Sequence, residues 1–154
     1  MKSMKQWQSD IREWAVRKEW RGPKAETQRT TGDDIALMHS ELSEALESFR
    51  ENTDPQAYWE TYSVIHHGVK FKNMTAAQIV ALGGRMIEVN GHLEVSYMGV
   101  VLDGKPEGIG PELADTIIRI LDYSEHVGLD MDFEVERKMA HNEKREIRHG
   151  GAHL

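Results

Sequence analysis

Cysteine is absent from the chain, and with it go disulfides, thiolate zinc sites and thiol nucleophiles. Long apolar runs are missing too: no window approaches the roughly 18 apolar residues of a membrane span. The opening MKSMKQWQSDIREW carries positive charge but no apolar stretch, so no secretory signal is expected, and the expectation is a cytoplasmic protein without a membrane partner. Positive charge is in short supply: 19 Lys plus Arg against 26 Asp plus Glu leave a net −7. That balance argues against a nucleic-acid partner, because chains that cover phosphates are usually basic. The phosphate loop GxxxxGK[ST] is also missing. The GIG within residues 103–111 has no GK[ST] after it, which excludes a Walker-type NTPase. Glu146 to His149 supplies the only Glu-x-x-His, whereas a di-iron bundle needs two such motifs facing each other.

What the 154 residues do contain fits one domain spanning 1–154. Trp7, Ile11, Trp14 and Lys18 recur at helical spacing, and Gly22-Pro23 ends that segment. Asp33 or Asp34 is placed to cap a second helix with an apolar stripe of Ile35, Met38, Leu42, Ala45, Leu46 and Phe49, ended by Thr53-Asp54-Pro55. Between Gln56 and Leu102 the signals conflict. Tyr58 to Ile65 reads as a short helix. Ala76 to Val89 reads as another, but Ile87 to Val95 alternates around Asn90-Gly91, a strong hairpin signal, and both alternatives stay open. DGKPEGIGP (103–111) is a loop, and Pro111 stands where a helix can begin. The segment Glu112 to His126, with Leu113, Ile117, Ile120 and Leu121 on one face, closes at Gly128. A last helix opens at Asp130 or Asp132 and runs to about Arg148. The predicted fold class is therefore mainly α, a helical bundle with an insert, or small hairpin, around 51–104.

The polar faces carry the chemistry. Glu41, Glu44 and Glu47 follow one another at i, i+3, so neighbours share a helix face and repel unless a cation screens them. Glu112 and Asp115 repeat the spacing on a later helix, with Arg119 and Asp122 on the same face. Two helices that each offer an acidic pair gather four carboxylates if they pack antiparallel. Hard oxygen ligands of this kind favour Mg²⁺ or Mn²⁺, and Mg²⁺ usually completes its octahedron with waters and substrate phosphates. Against this stands the plain alternative of acidic residues solvated on an amphipathic helix. Lys138, Asn142 and Arg145 share one face of the last helix, suited to polyphosphate oxygens, or equally to a basic helix C-terminus.

HSELSEALE (His39 to Glu47), KPEGIGPELADTIIRILD (Lys105 to Asp122) and KMAHNEKREIRHGG (Lys138 to Gly151) together resemble the MazG-like group of all-α nucleoside triphosphate pyrophosphohydrolases. In that group an ExxE on one helix and an ExxD on a later one bind Mg²⁺; here these are Glu41 and Glu44, then Glu112 and Asp115. The resemblance implies hydrolysis of an NTP or dNTP at the α–β bond to monophosphate and pyrophosphate. It implies further that Lys138 and Asn142 contact substrate phosphates, with Arg145 on the same face as a further candidate, and that the chain forms a dimer or tetramer. Glu47 extends the acidic row as a candidate general base, while His39 and Arg119 are expected to border the substrate. Glu47 and Glu112 are 65 positions apart (112 − 47), longer than the family's usual connection, so 51–104 stands as an insert. Two other readings compete: a non-catalytic acidic interaction module, and a hydrolase of another pyrophosphate-containing nucleotide.

Overall fold

Helix α1 (Met4–Arg17) starts where Ser3 and Gln6 form a reciprocal capping box, which satisfies donors the first turn leaves open. It buries Gln8, Ile11 and Ala15, so the interior face lies beside the tryptophans rather than on them. In this computed structural model residues 2–25, 28–51 and 54–145 are described. The expected Glu146–His149 pair, the helix extension to Arg148 and the Thr53 stop lie outside the described residues. Among the described residues no helix is long and apolar enough to cross a membrane.

Helix α2 (Thr31–Glu51) begins earlier than Asp33 or Asp34 as a cap requires. Thr30 takes that role: its N–H donates to Asp33 Oδ2 at 2.7 Å, and its Oγ1 accepts from the Asp33 N–H at 3.2 Å. Asp34 is thereby freed for the interior, where it is buried.

The predicted mainly α bundle does not form. After α2 come strands β1 (Trp59–His66) and β2 (Val69–Met74), short helix α3 (Ala76–Ala81), then β3 (Arg85–Val89), β4 (His92–Tyr97), β5 (Val100–Val101) and β6 (Lys105–Glu107). Helices α4 (Ile109–Val127) and α5 (Met131–Glu143) follow. The described residues thus make a mixed fold of five helices and two three-stranded antiparallel sheets, ordered β2-β1-β6 and β3-β4-β5. The segment read as a helix at Tyr58 to Ile65 is strand β1. Its Trp, Thr, Tyr, Val and Ile side chains fit a pleated, half-buried surface better than a helix. The open alternative at Ala76 to Val89 resolves into both forms, six helical residues and then a strand. Val89 pairs with His92 across Asn90-Gly91, both at positive φ (52° and 82°), as a two-residue hairpin turn demands.

Among the described residues, those up to Ser40 and from Thr116 onward form one compact unit, unit 1, and Glu41–Asp115 form unit 2. In unit 1 the side chain of Gln8 ties α1 to the start of α5, donating to Leu129 O at 2.7 Å and accepting from Met131 N at 3.2 Å. Asp132 accepts from the first backbone N–H groups of α1, Met4 and Lys5, both at 3.2 Å. Unit 2 has its own core of Tyr62, Val64, Ile79, Val95 and Tyr97. Burial of each apolar side chain there contributes about 1.5–3 kcal/mol. Helix α3 is too short to persist alone; a Thr75/Gln78 capping box and the complete burial of Ile79 hold it.

Candidate metal centre and its cavity

Unit 2 brings three carboxylates together. Glu41 comes from α2, Glu112 and Asp115 from the first turns of α4, and one oxygen of each lies within 4.8 Å of the others. Glu41 and Glu112 are buried, Glu112 at 2 % exposure, while Asp115 is more accessible. Gly108 sets the start of α4. At φ 127° it lies in a region that favours glycine, and a Cβ there would stand 2.5 Å from Ala57 O. Glu112 N–H then donates to Gly108 O at 3.2 Å, closing the first turn and fixing Glu112 beside the end of β6.

Beside Glu112 lies a cavity of about 390 Å³, lined among others by Glu44, Glu47, Ser48, Trp59, Thr61, Asn73, Lys105 and Glu107. Antiparallel pairing sets Thr61 of β1 opposite Lys105 of β6, and Trp59 opposite Glu107. Alternate residues of a strand share a face, so Lys105 and Glu107 point the same way. Lys105 Nζ is 3.2 Å from Glu107 Oε2 and 3.8 Å from Glu112 Oε1, and Thr61 Oγ1 donates to Glu107 Oε1 at 2.9 Å.

Burial pushes the Glu112 carboxyl up to about 7, against the pull of Lys105⁺, with the hydrogen bond to Glu107 and the charge of Glu44 adding to the rise. Burial opposes the charge on Lys105, but its hydrogen bond to Glu107 and the nearby carboxylates outweigh this, and its pKa is raised. Carboxylates thus outnumber the ammonium in this group, and ionising Glu112 is costly without further positive charge.

Of the residues that the sequence nominates, Glu41, Glu112 and Asp115 meet as one cluster. Glu44 and Glu47 line the adjoining cavity with Glu112. The others fall in unit 1. His39 is exposed on α2, and Lys138, Asn142 and Arg145 are exposed along α5 and just beyond it. Lys138 lines a cavity of about 260 Å³ with Glu134, Arg137 and His141. Arg119 lines a different one, of about 480 Å³, with Lys18, Trp20, Lys24 and Arg29.

Thr61, Asn73, Lys105 and Glu107 are cavity residues that sequence reading missed. Lys105-x-Glu107 carries the strand period, but three residues between Gly104 and Gly108 are too few for that period to stand out from a loop. Thr61 and Asn73 become visible only once β1 and β2 are known to be strands.

The donor set suits a hard divalent cation: three carboxylates on rigid helices, two of them buried, with space for ligands on one side. Glu112, nearly inaccessible and disfavoured as an anion, is stabilised in its charged form by such an ion. Compared with family models, curated proteins and solved structures, the chain matches none.

Proposed function

We propose that the chain is a Mg²⁺-dependent nucleoside triphosphate pyrophosphohydrolase, cleaving an NTP or dNTP at the α–β bond to monophosphate and pyrophosphate. The observation that carries this reading is the convergence of Glu41, Glu112 and Asp115 beside a cavity large enough for the reacting part of a nucleotide. The MazG-like resemblance of the same residues supports it.

In this reading Glu41, Glu112 and Asp115, with Glu44 alongside, hold the metal, Mg²⁺ or Mn²⁺. A bound Mg²⁺ supplies charge neutralisation at phosphate oxygens and makes water a better nucleophile. Glu47, on the cavity wall, takes the proton of the attacking water as general base. Lys105 is held protonated by Glu107 and Glu112; it offsets part of their charge and presents an ammonium to a phosphate oxygen. Thr61 holds Glu107 through its hydroxyl, so the Lys105 ammonium is presented from a fixed partner. The residues that the resemblance or the sequence assigns to substrate, Lys138, Asn142, Arg145, His39 and Arg119, fall in unit 1, and the reading rests on the unit 2 residues alone.

The reading includes a homo-oligomer, a dimer or tetramer. Ile35, Leu42, Leu46 and Phe49 of α2 are each 45–48 % exposed, and a second copy covering them removes apolar surface worth roughly 25 cal/mol per Å² from water.

The test is incubation with ribo- and deoxyribonucleoside triphosphates, with Mg²⁺ or with EDTA, and separation of products by ion exchange. Monophosphate and pyrophosphate formed only with Mg²⁺ are expected. Glu112→Gln should lower turnover by about a thousandfold, the scale of losing several kcal/mol of charge stabilisation. Diphosphate and orthophosphate as products overturn the bond assignment. A bound divalent ion without turnover of any triphosphate would favour the non-catalytic acidic module; turnover of another pyrophosphate-containing nucleotide alone would move the substrate.

A further inference from the structure

Unit 1 holds a cavity of about 480 Å³ whose wall includes Lys18, Trp20, Lys24, Arg29 and Arg119, with Glu19 as the acidic residue among its lining. In a chain of net −7, this hollow gathers four cations and one carboxylate, with Lys24 Nζ 4.0 Å from Glu19 Oε1. Two of the groups are firmly built. Arg29 is 17 % exposed, and its guanidinium lies 3.5 Å from Asp34 and 3.7 Å from Asp122, both buried. Its Nη2 also donates to Trp20 O at 3.1 Å, which ties the backbone carrying the indole to the guanidinium. The Trp20 ring stands edge-on to Trp14, centroids 4.7 Å apart at 73°, and keeps 49 % of its surface exposed. Arg21 joins the same carboxylates from the intervening segment, at 2.6 Å from Asp34 and 2.9 Å from Asp122. The ring and the Arg29 cation are therefore in place before any ligand arrives, and the more exposed Lys18 and Lys24 complete the rim.

A fixed aromatic face next to several cations matches a planar ring that carries phosphate. The volume lies in the range of small-molecule sites. Charge decides between a small anion and a polyanion. Beyond about 8 Å the local field is screened at physiological salt, so an extended nucleic acid would meet the acidic remainder of the surface, whereas a single nucleotide feels only the cavity. We propose that this cavity binds a mononucleotide, with its base against Trp20 and its phosphates towards Lys18, Lys24, Arg29 and Arg119. It shares no lining residue with the carboxylate cavity of unit 2, so the proposal stands or falls apart from the hydrolase reading.

The experiment is calorimetric titration of the full chain with adenosine diphosphate in EDTA, where a Mg²⁺-dependent site is silent. Saturable binding that weakens with added salt is expected. The double variant Lys18→Glu/Lys24→Glu, altering two exposed rim cations, should bind about tenfold more weakly. Trp20→Ala should lose affinity for the diphosphate but keep its weaker affinity for inorganic pyrophosphate. Glu112→Gln should bind as the parent does. No saturable binding, or unchanged affinity in the double variant, overturns the proposal, as does loss of binding in Glu112→Gln with the double variant intact. Pyrophosphate binding as tightly as the nucleotide overturns the role of the ring.

Discussion

Two carboxylate clusters in this molecule draw on the same two helices and differ in how their charge is met. Asp34 of α2 and Asp122 of α4 belong to unit 1, where Arg21 and Arg29 stand against both. Two anions meet two guanidiniums, and planar forks suit carboxylates well. Glu41 lies seven residues after Asp34 on α2, and Asp115 seven before Asp122 on α4. They join Glu112 in unit 2, where Lys105 Nζ lies 3.8 Å from Glu112 Oε1. Both clusters are acidic and both draw on α2 and α4, yet the first is met by two guanidiniums from within the chain. The second, in our reading, also takes a cation from outside. A buried carboxylate is structural or chemical according to where its counter-charge comes from.

Removing positive charge from the neutralised cluster should give the largest effect. Arg21→Ala leaves Asp34 and Asp122 buried with less than half their compensation, and such a break costs about 3–5 kcal/mol. Urea unfolding should show a midpoint shift of that size at pH 7, with Arg21→Lys in between. A loss below about 1 kcal/mol, the range of exposed pairs, would mean that the cluster is not interior and would collapse the comparison.

The opposite sign is expected in unit 2. Glu112→Gln removes a charge that burial disfavours, so in EDTA at pH 8 the variant should be more stable than the parent by about 1–2 kcal/mol. Mg²⁺ should then stabilise the parent and not the variant, because an ion that binds only the native state adds RT ln(1 + [L]/Kd). Thermal melts with and without 10-fold steps of Mg²⁺ measure both. A variant that is less stable in EDTA, or that still gains stability from Mg²⁺, would remove Glu112 from the metal set.

This contrast was partly legible in the sequence. The i, i+3 acidic rows are visible because helical spacing writes a face directly into residue numbers, and Glu41, Glu112 and Asp115 follow from it. Periodicity names two faces without saying which one lies inside. An apolar stripe such as that on α2 ordinarily faces the core, yet Asp34, Glu41 and Ser48 are buried while Ile35, Leu42, Leu46 and Phe49 are about half exposed. The sheets were harder to see. In strand β1, eight residues long, alternation is too brief to outvote a helical reading, and three-residue β6 is too short to stand out from a loop. The Asn90-Gly91 turn was the exception, since a two-residue hairpin has a chemical signature of its own. Lys105 as counter-ion to Glu112 depends on β1–β6 pairing, which no local pattern encodes.

The exposed stripe carries its own, smaller test. If a second copy covers it, Leu46→Glu/Phe49→Glu should dissociate the assembly to a monomer by light scattering, with far-ultraviolet circular dichroism unchanged. Both side chains are already near half exposed in the single chain, so the fold itself should lose no more than about 0.5 kcal/mol, as is usual for surface substitutions. An unchanged mass would withdraw the oligomer.

The last test concerns unit 2 alone and asks whether its core is independent of the acidic cluster. Tyr62 is buried, and its hydroxyl donates to Glu60 Oε2 at 2.7 Å. Burial, then the hydrogen bond to Glu60, pushes the phenol up to about 12 from its usual 10. A folded-state pKa raised above the unfolded value means that the native state holds its proton more tightly. The associated stability is full below pH 10 and drains away between pH 10 and 12, as the unfolded chain ionises first. Tyr62→Phe should therefore flatten the stability profile above pH 10, at the cost of one hydrogen bond, about 1 kcal/mol, at neutral pH. Glu112→Gln should leave that alkaline limb as it is. An alkaline limb that shifts with Glu112 instead would show the two sites to be electrostatically coupled, and the carboxylate cluster would then have to be treated as part of the core that Tyr62 reports on.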